Sequence, residues 1–110
     1  MERISSIDVN FIDNIIFDII EFVKGVNMFH KDLFGTRLRK LRKLKKESQQ
    51  EIGELIGVNP NQVSEMENGH TTTTFEKLYL LCEHFNVSAD YLLGLTNELR
   101  PLWEKDNKNV

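Results

Sequence analysis

The 110-residue sequence is poor in the residue types that mark several classes of protein. Its single cysteine, Cys82, excludes a disulfide framework and a CxxC zinc site, and is typical of a reducing compartment. The low content of glycine and proline, 6 and 2 residues, excludes a collagen-like or low-complexity chain. The longest apolar region, residues 9–29, is interrupted by charged side chains and is not expected to span a membrane. The first residues lack the features of a secretion signal, so the sequence predicts a cytoplasmic protein.

The sequence also lacks the patterns that catalysis and metal binding require. It has no glycine-rich phosphate loop and no recognisable pairing of a nucleophile with a base. Cys82 and His84 lie two residues apart, but one cysteine and one histidine do not make a zinc site. Cys82 falls on the apolar face of a predicted helix and is expected in the core. We therefore predict no metal, no cofactor and no enzymatic activity.

Charge is distributed unevenly along the chain, although the net charge is −3. Residues 30–47 contain eight Lys or Arg and two Asp or Glu, which gives a local charge of +6. Residues 1–29 carry −3, from two basic and five acidic side chains, and residues 48–110 carry −6, from four and ten. A basic segment of this kind either approaches a polyanion or forms a solvated helix face, and charge alone leaves both interpretations open.

Helical periodicity dominates the sequence, and no segment alternates as a half-buried strand does. Residues 9–26 predict an amphipathic helix whose apolar face covers about half of its circumference, wider than that of an ordinary surface helix. Asp13, Asn14 and Asp18 lie on its polar arc, and Phe17 is the one apolar residue that falls there. Five shorter helices are predicted at residues 34–46, 49–56, 60–67, 75–85 and 89–93.

Capping residues set the boundaries of these helices. Ser48-Gln49-Gln50-Glu51 is a capping box, and Thr73 with Glu76 forms a second one. Asn59 caps the next helix and Pro60 occupies its first turn. The residues of the basic helix that are predicted to face inward follow helical spacing: Phe34, Leu38, Leu41 and, at the end of that face, Leu44.

Two short helices joined by a tight turn occupy residues 49–67. Gly53 lies at their closest approach, where only a very small side chain fits, and Gly57 allows a left-handed turn without strain. Val63 and Met66 point back from the second helix into the core. This spacing predicts a helix-turn-helix, although an ordinary helical hairpin also meets it.

Four segments carry a resemblance to a known family: FGTRLRKLRK at 34–43, SQQEIGELIGV at 48–58, NPNQVSEMENG at 59–69 and FNVSADYLLGLT at 85–96. Together they resemble the helix-turn-helix domain of phage repressors and Cro. The resemblance implies an all-α, five-helix domain at residues 30–96 that binds operator DNA, generally as a dimer. The extra amphipathic helix at 1–29 and a tail at 97–110 lie outside it. Gly53 departs from the family pattern, which more often has alanine there.

The resemblance places the second helix of the motif in the major groove, N-terminal end first. Its outward residues are then predicted to contact base edges: Asn59, Pro60, Asn61, Gln62 and Glu65. The amides of Asn61 and Gln62 match the donor and acceptor on the major-groove edge of adenine. Glu65 can accept from the amino group of cytosine but repels phosphate, so it helps only when aimed at a base. The alternative for all of these residues is a solvated helix surface.

Phosphate contacts are expected on both sides of that helix. The N-terminus of the helix that begins at Gln49 offers free N–H groups and a positive dipole end. The predicted phosphate-binding residues are Ser48, Gln49, Ser64, Asn68, His70, Thr71, Thr72 and Lys43. The loop at 70–72 lacks the lysine or arginine that the family often has, and Lys40, Lys43 and Lys46 compensate only if they face the DNA. His70 is interpreted as an exposed loop residue rather than a titrating switch.

Arg42 and Glu67 stand where the resembled family has a partly buried pair that links its first and third helices. Glu67 is therefore interpreted as structural, unlike Glu65. Removal of one partner would leave a buried charge without its counter-charge.

The N-terminal helix is too apolar to remain free in water. It packs on its own domain, pairs with a second copy of the chain, or binds a different protein, and the homodimer is favoured. The region after the fifth helix is a rival dimer surface, with Leu93, Leu95, Leu99 and Trp103.

The predicted function is a dimeric repressor that reads an inverted repeat in double-stranded DNA. Two alternatives remain: an interaction protein that does not bind DNA, and an antitoxin that represses its own operon.

Overall fold

A computed structural model describes residues 11–19 and 29–103, and within these residues the chain forms helices and no strand. The helices are α1 (residues 11–19), α2 (Lys31–Leu44), α3 (Gln49–Ile56), α4 (Pro60–Glu67), α5 (Phe75–Phe85) and α6 (Ala89–Leu93). The predicted all-α class is confirmed, and α3 to α6 have the predicted bounds. The rest of the helix predicted at 9–26, and the end of the tail, lie outside the described residues. None of the helices described is long and apolar enough to cross a membrane.

The caps explain why the chain breaks into short helices at these positions. Ser48 Oγ accepts from Glu51 N at 3.0 Å and Glu51 Oε1 accepts from Ser48 N at 2.7 Å, which confirms the first capping box. α3 ends at Gly57, whose φ of 80° is left-handed. The second predicted box is wrong by one residue: Thr74, in extended conformation, caps α5 by accepting from the N–H of Lys77.

The core lies between α2 and the four helices that follow it. Phe34, Leu38 and Leu41 of α2 are buried, as predicted. Leu44 was predicted on the same face but is 60% exposed, because α2 ends there and the chain turns away at Lys45. The buried residues that join this cluster from the later elements are Ile52, Ile56, Val63, Met66, Leu81, Cys82, Val87, Tyr91 and Leu92.

Two glycines allow helices to approach more closely than any side chain would permit. A Cβ added at Gly53 would overlap the carbonyl oxygen of Val58, so the turn after α3 is closer than the alanine of the resembled family allows. A Cβ at Gly35 would overlap the carbonyl oxygens of Met66 and Glu67. Gly35 therefore sets the distance between α2 and the end of α4, a role that the sequence pattern did not single out.

α1 packs on α2 and α6 through the arc that the sequence predicts to be polar. Asp13 is 2% exposed, and its carboxylate accepts from Arg37 Nε at 2.9 Å, Lys40 Nζ at 3.2 Å and the Tyr91 hydroxyl at 2.6 Å. Phe17, the apparent exception on that arc, lies over the Arg37 guanidinium at 5.7 Å. Three residues of the predicted apolar face are more than half exposed: Phe11, Ile12 and Ile19.

The expectation that the polar arc of this helix faces water is therefore wrong at Asp13. The physical reason is Arg37, which is fully buried on α2 and needs a counter-charge. The described part of the helix packs on its own chain and leaves an apolar surface outside.

Candidate nucleic-acid interface

The N-terminal part of α4 carries a set of exposed polar residues. All five predicted base-reading residues lie at the surface: Asn59, Pro60, Asn61, Gln62 and Glu65. Val63 and Met66, on the opposite side of the same helix, are buried in the core. The packing of these two side chains fixes α4 so that its polar edge faces outward.

Gln62 has a second role that the sequence analysis missed. Its Oε1 accepts the N–H of Asn59 at 3.0 Å, and Asn59 Oδ1 accepts the N–H of Gln62 at 2.9 Å. This reciprocal pair is a capping box at the start of α4. The side-chain oxygen of Gln62 accepts a hydrogen bond in the capping box, so its Nε2 group is the part that remains free to donate to a base. Asn61 lies outside the capping box.

The N-terminus of α3 lies beside the C-terminal end of α4. Ser48 is exposed, and the N–H groups of Gln49 and Gln50 begin the helix, where no intrahelical acceptor exists for them. The side chain of Gln49 turns inward and donates Nε2 to Glu67 Oε1 at 3.1 Å. In this arrangement the backbone N–H of Gln49, rather than its side-chain amide, is the group that can bind a phosphate.

The end of α4 is tied to α2 by a second set of hydrogen bonds. Arg39 Nη2 donates to Asn68 Oδ1 at 2.9 Å, and Asn68 Nδ2 donates to Ser64 Oγ at 3.4 Å. The remaining predicted phosphate-binding residues are exposed: Lys43 on α2, and His70, Thr71 and Thr72 in the loop. Lys40 differs, because its ammonium is directed at Asp13 and its side chain is only 8% exposed.

Glu67 forms a buried ionic cluster behind this surface. Arg42 donates Nε to Glu67 Oε2 at 2.6 Å and Nη2 to Oε1 at 2.9 Å, and Arg39 adds a longer contact of 3.5 Å. Burial alone would raise the pKa of Glu67, but the hydrogen bonds from Arg42 and Gln49 and the charge of Arg42 outweigh burial and lower it. The cluster joins α2, α3 and α4, and so holds the two helices of the motif in register.

Glu65 has a neighbour that the sequence analysis did not connect with it. His70 Nδ1 lies 2.9 Å from Glu65 Oε1, and the N–H of His70 donates to the backbone oxygen of Glu65 at 2.9 Å. The loop after α4 thus folds back on the helix and brings an imidazole next to a predicted base-reading carboxylate.

The Asp13 cluster was also missed, although the sequence contained a signal for it. Residues 34, 37, 38 and 41 lie on one face of a helix, and Arg37 therefore occupies a core position between apolar neighbours. A buried arginine requires an acceptor, and Arg37 donates Nη1 to the backbone oxygens of Tyr91 and Thr96 at 2.5 and 2.7 Å as well as Nε to Asp13. The spacing of residues in sequence could not show that Asp13 supplies the carboxylate. Within the described residues, no cluster of His, Cys, Asp and Glu could hold a metal ion.

Comparison with known proteins was made at the levels of sequence and structure. The helix-turn-helix family model matches residues 38–92, half of this chain. The chain is 33% identical over 75 residues to the uncharacterized HTH-type transcriptional regulator YobD of Bacillus subtilis (strain 168). The aligned segment covers 68% of this chain and 67% of YobD. It is 30% identical over 70 residues to antitoxin PezA of Streptococcus pneumoniae serotype 4 (strain ATCC BAA-334 / TIGR4). This aligned segment covers 64% of this chain but only 44% of PezA.

Solved structures show the same architecture. The P22 c2 repressor protein, solved in complex with synthetic operator 9T, is 35% identical with a TM-score of 0.52, over 55% of this chain and 91% of that one. The restriction-modification controller protein C.AhdI from Aeromonas hydrophila is 27% identical with a TM-score of 0.51, over 56% and 90%. The clp gene regulator ClgR from C. glutamicum is 27% identical with a TM-score of 0.52, over 61% and 87%.

The family match spans α3, α4 and α5 completely, and these are the helices that carry the exposed polar edge and its buried support. This chain therefore belongs to the helix-turn-helix family of phage-repressor and Cro type, a family of DNA-binding transcriptional regulators.

Proposed function

We propose that this protein is a repressor that binds double-stranded DNA sequence-specifically, with α4 in the major groove and the N-terminus of α3 against the phosphate backbone. The observation that carries the proposal is the exposed polar edge of α4, held outward by the burial of Val63 and Met66. The likeness to the P22 c2 repressor, which was solved in complex with a synthetic operator, supports the binding of DNA.

Base reading can be tested at Asn61, which is exposed and not part of the capping box. A binding site would first be selected from random duplex DNA. We expect Asn61→Ala to relax the preference at particular base pairs by about 1–3 kcal/mol, because one amide pairs with one base edge. Fluorescence anisotropy on single-base variants of the site gives this preference. Gln62→Ala should act similarly, but it also removes a cap and needs a parallel measurement of stability.

Glu98→Ala provides the control, because Glu98 is an exposed side chain in the segment after α6. It should leave the sequence preference unchanged. An equal loss of affinity on every sequence for Asn61→Ala would contradict the assignment of this residue as a reader.

The proposed repressor acts as a dimer, with two copies of α4 entering successive major grooves about 34 Å apart. Support comes from two groups of exposed large apolar side chains. On α1 they are Phe11, Ile12 and Ile19, and after α6 they are Leu95, Leu99 and Trp103. We infer that the α1 surface is the main contact, because the Asp13 cluster fixes this helix on its own domain with its apolar residues outward.

Sedimentation equilibrium can compare the two surfaces. The double variant Ile12→Ser/Ile19→Ser should weaken the dimer more than Leu99→Ser/Trp103→Ser, because it removes apolar area from the inferred contact. The opposite order would assign the dimer to the region after α6. A wild-type protein that stays monomeric at all concentrations, both free and on an inverted repeat, would contradict the dimer.

A second candidate function is an antitoxin that represses its own operon, and the likeness to PezA favours it. In this case the exposed apolar face of α1 would bind a toxin rather than a second copy. Co-expression with the product of the neighbouring reading frame tests the candidate. Growth arrest by that product, relieved by this chain but not by its Ile12→Ser/Ile19→Ser variant, is the expected result. Growth without arrest would contradict it.

A further inference from the structure

The loop that follows α4 carries little charge of its own. Residues 68–74 read NGHTTTT, so they contain no lysine, arginine, aspartate or glutamate. His70 is the one residue of this loop that can become positively charged. A full positive charge from the loop itself is therefore present only when the imidazole is protonated, and histidine is the side chain whose unperturbed titration falls near neutral pH.

The structure holds this imidazole beside a carboxylate of the proposed reading surface. The Nδ1 atom of His70 lies 2.9 Å from Glu65 Oε1, and a backbone hydrogen bond of 2.9 Å joins the same two residues. Both side chains are largely accessible, at 62% for His70 and 53% for Glu65. The pair is thus ordered by the fold and remains open to a ligand that approaches α4.

Few other charged groups face His70. From α2, Lys31 donates Nζ to the backbone oxygen of His70 at 3.4 Å. Asp32 lies against the preceding Gly69, where an added Cβ would overlap its Oδ1 atom. From α4, the facing charge is Glu65. Among the residue types in this set, histidine is the one whose reference pKa lies near neutral pH.

DNA would add a further negative charge to this environment. A phosphate near an imidazole favours its protonated form, as does a carboxylate. The protonated ring also neutralises Glu65, whose carboxylate otherwise repels phosphate, and its second N–H group can donate to a phosphate oxygen. The short distance to Glu65 changes the interpretation of His70 as a simple exposed loop residue.

We propose that His70 is a proton-linked phosphate contact, so that DNA binding is accompanied by net proton uptake at each subunit and becomes tighter as the pH falls. The proposal rests on the proposed function. The sign follows from linkage: when the complex holds more protons than the separate partners, the association constant rises with proton concentration. Because the pair is exposed, the expected change is about five-fold per subunit between pH 8 and pH 6.

The experiment measures binding of the full chain to a duplex selected from random DNA, by fluorescence anisotropy at pH 6, 7 and 8 and constant ionic strength. The wild-type protein should bind more tightly at pH 6. His70→Gln should bind with little dependence on pH, because glutamine keeps a polar side chain but cannot gain the charge. Circular dichroism at each pH checks that both proteins are folded.

His84→Gln is the matched control. His84 is also paired with a glutamate, since its Nε2 lies 2.8 Å from Glu47 Oε1, but this pair joins α5 to the turn after α2 rather than to α4. We expect this variant to keep the pH dependence of the wild-type protein. Loss of that dependence in His84→Gln and its retention in His70→Gln would overturn the proposal.

Calorimetry gives a second measurement that does not depend on affinity. Titrations in two buffers with different ionisation enthalpies should show proton uptake by the wild-type protein of up to about 0.4 proton per subunit, the uptake that a five-fold change over two pH units implies, and none by His70→Gln. DNA binding with no uptake overturns this inference but leaves the proposed function intact. No preferential binding of any selected duplex at any pH overturns both.

Discussion

Glu67 and Asp13 are buried carboxylates held by similar donors in different settings. Glu67 lies inside the helix-turn-helix, where Arg42 binds both of its oxygens. Asp13 lies on α1 and is bound by Arg37, Lys40 and Tyr91. The surroundings of Glu67 are helices that share one core, whereas α1 exposes much of its apolar side to solvent.

Burial alone therefore does not determine how much stability is lost when a charge is removed. When the Glu67 carboxylate is removed, its partners stay in place between packed helices, and their charges have no alternative acceptor of equal strength. When the Asp13 carboxylate is removed, α1 can separate from the domain. Water can then reach the guanidinium of Arg37, which is buried while α1 is docked. The loss at Asp13 is therefore limited to the free energy that docks α1.

Glu67→Gln should cause the greatest loss of stability. We expect it to lower the free energy of unfolding by about 3 kcal/mol, because it leaves Arg42 partly buried without its counter-charge. Denaturant titration measures this loss. Glu54→Gln, on the exposed side of α3, is the control and should change stability by less than about 0.5 kcal/mol. A loss of similar size in both variants would remove the distinction between buried and exposed carboxylates.

Asp13→Asn should have a smaller effect, about 1–2 kcal/mol, because Arg37 retains the backbone oxygens of Tyr91 and Thr96. Hydrogen exchange at residues 11–19 should become faster while that of α3 and α4 stays unchanged, since α1 separates first. The control is Asp18→Asn, an exposed residue of the same helix. A loss at Asp13 as large as that at Glu67, with exchange accelerated throughout, would show that α1 is part of the cooperative core.

Tyr91→Phe isolates one hydrogen bond of the Asp13 cluster. Burial and the neighbouring Asp13 raise the pKa of Tyr91, so its hydroxyl stays protonated and donates to the carboxylate. The variant keeps the ring, 4.2 Å from the Arg37 guanidinium, and should lose about 1 kcal/mol. Tyr79→Phe, whose hydroxyl makes an exposed bond to Glu83, should lose less in the same denaturant titration. Equal losses would mean that the buried bond adds nothing beyond the exposed one.

Acid should gradually weaken both the Asp13 cluster and the Glu67 cluster. Burial would raise the pKa of Asp13, but the hydrogen bonds from Tyr91 and Arg37 and the charges of Arg37 and Lys40 outweigh it and hold the pKa below its ordinary value. The Arg42 and Gln49 contacts lower the pKa of Glu67 in the same way. A carboxylate with a lowered pKa contributes stability that is complete above its ordinary value and is lost as the pH falls through its folded value.

The wild-type protein should therefore lose stability below about pH 4.5, and Glu67→Gln and Asp13→Asn should each lose less over the same interval. Denaturant titrations between pH 7 and pH 3 measure how steeply the free energy of unfolding of each protein changes with pH. Slopes equal to that of the wild-type protein in both variants would mean that neither carboxylate is responsible for acid sensitivity.

The helix-turn-helix was predictable because its boundaries are set locally. Ser48 with Glu51, Asn59 with Pro60, and Gly57 define short helices within a few residues of sequence, and the structure has the same bounds. The exposure of the α4 edge followed from the same pattern, since Val63 and Met66 face the core.

Apart from the local capping box of Asn59 and Gln62, the contacts that sequence reasoning missed join residues whose separation along the chain is long or whose pairing depends on a turn. Tyr91 and Asp13 are 78 residues apart, and helical periodicity places Asp13 among polar neighbours that do face water. Glu65 meets His70 only because the chain reverses at Gly69, with φ of 82°. A close approach such as that at Gly35 depends on where a second helix lies, and one helix alone does not contain that information.

The Arg37 guanidinium also constrains the order in which the protein is assembled during synthesis. It binds residues 13, 91 and 96, so α1 has partners that are synthesised much later than α1 itself. Until residues near 91 emerge, α1 has no complete docking site on its own chain, and the Asp13 carboxylate lacks its partner hydroxyl. α6, which carries Tyr91, thus completes the docking site of α1.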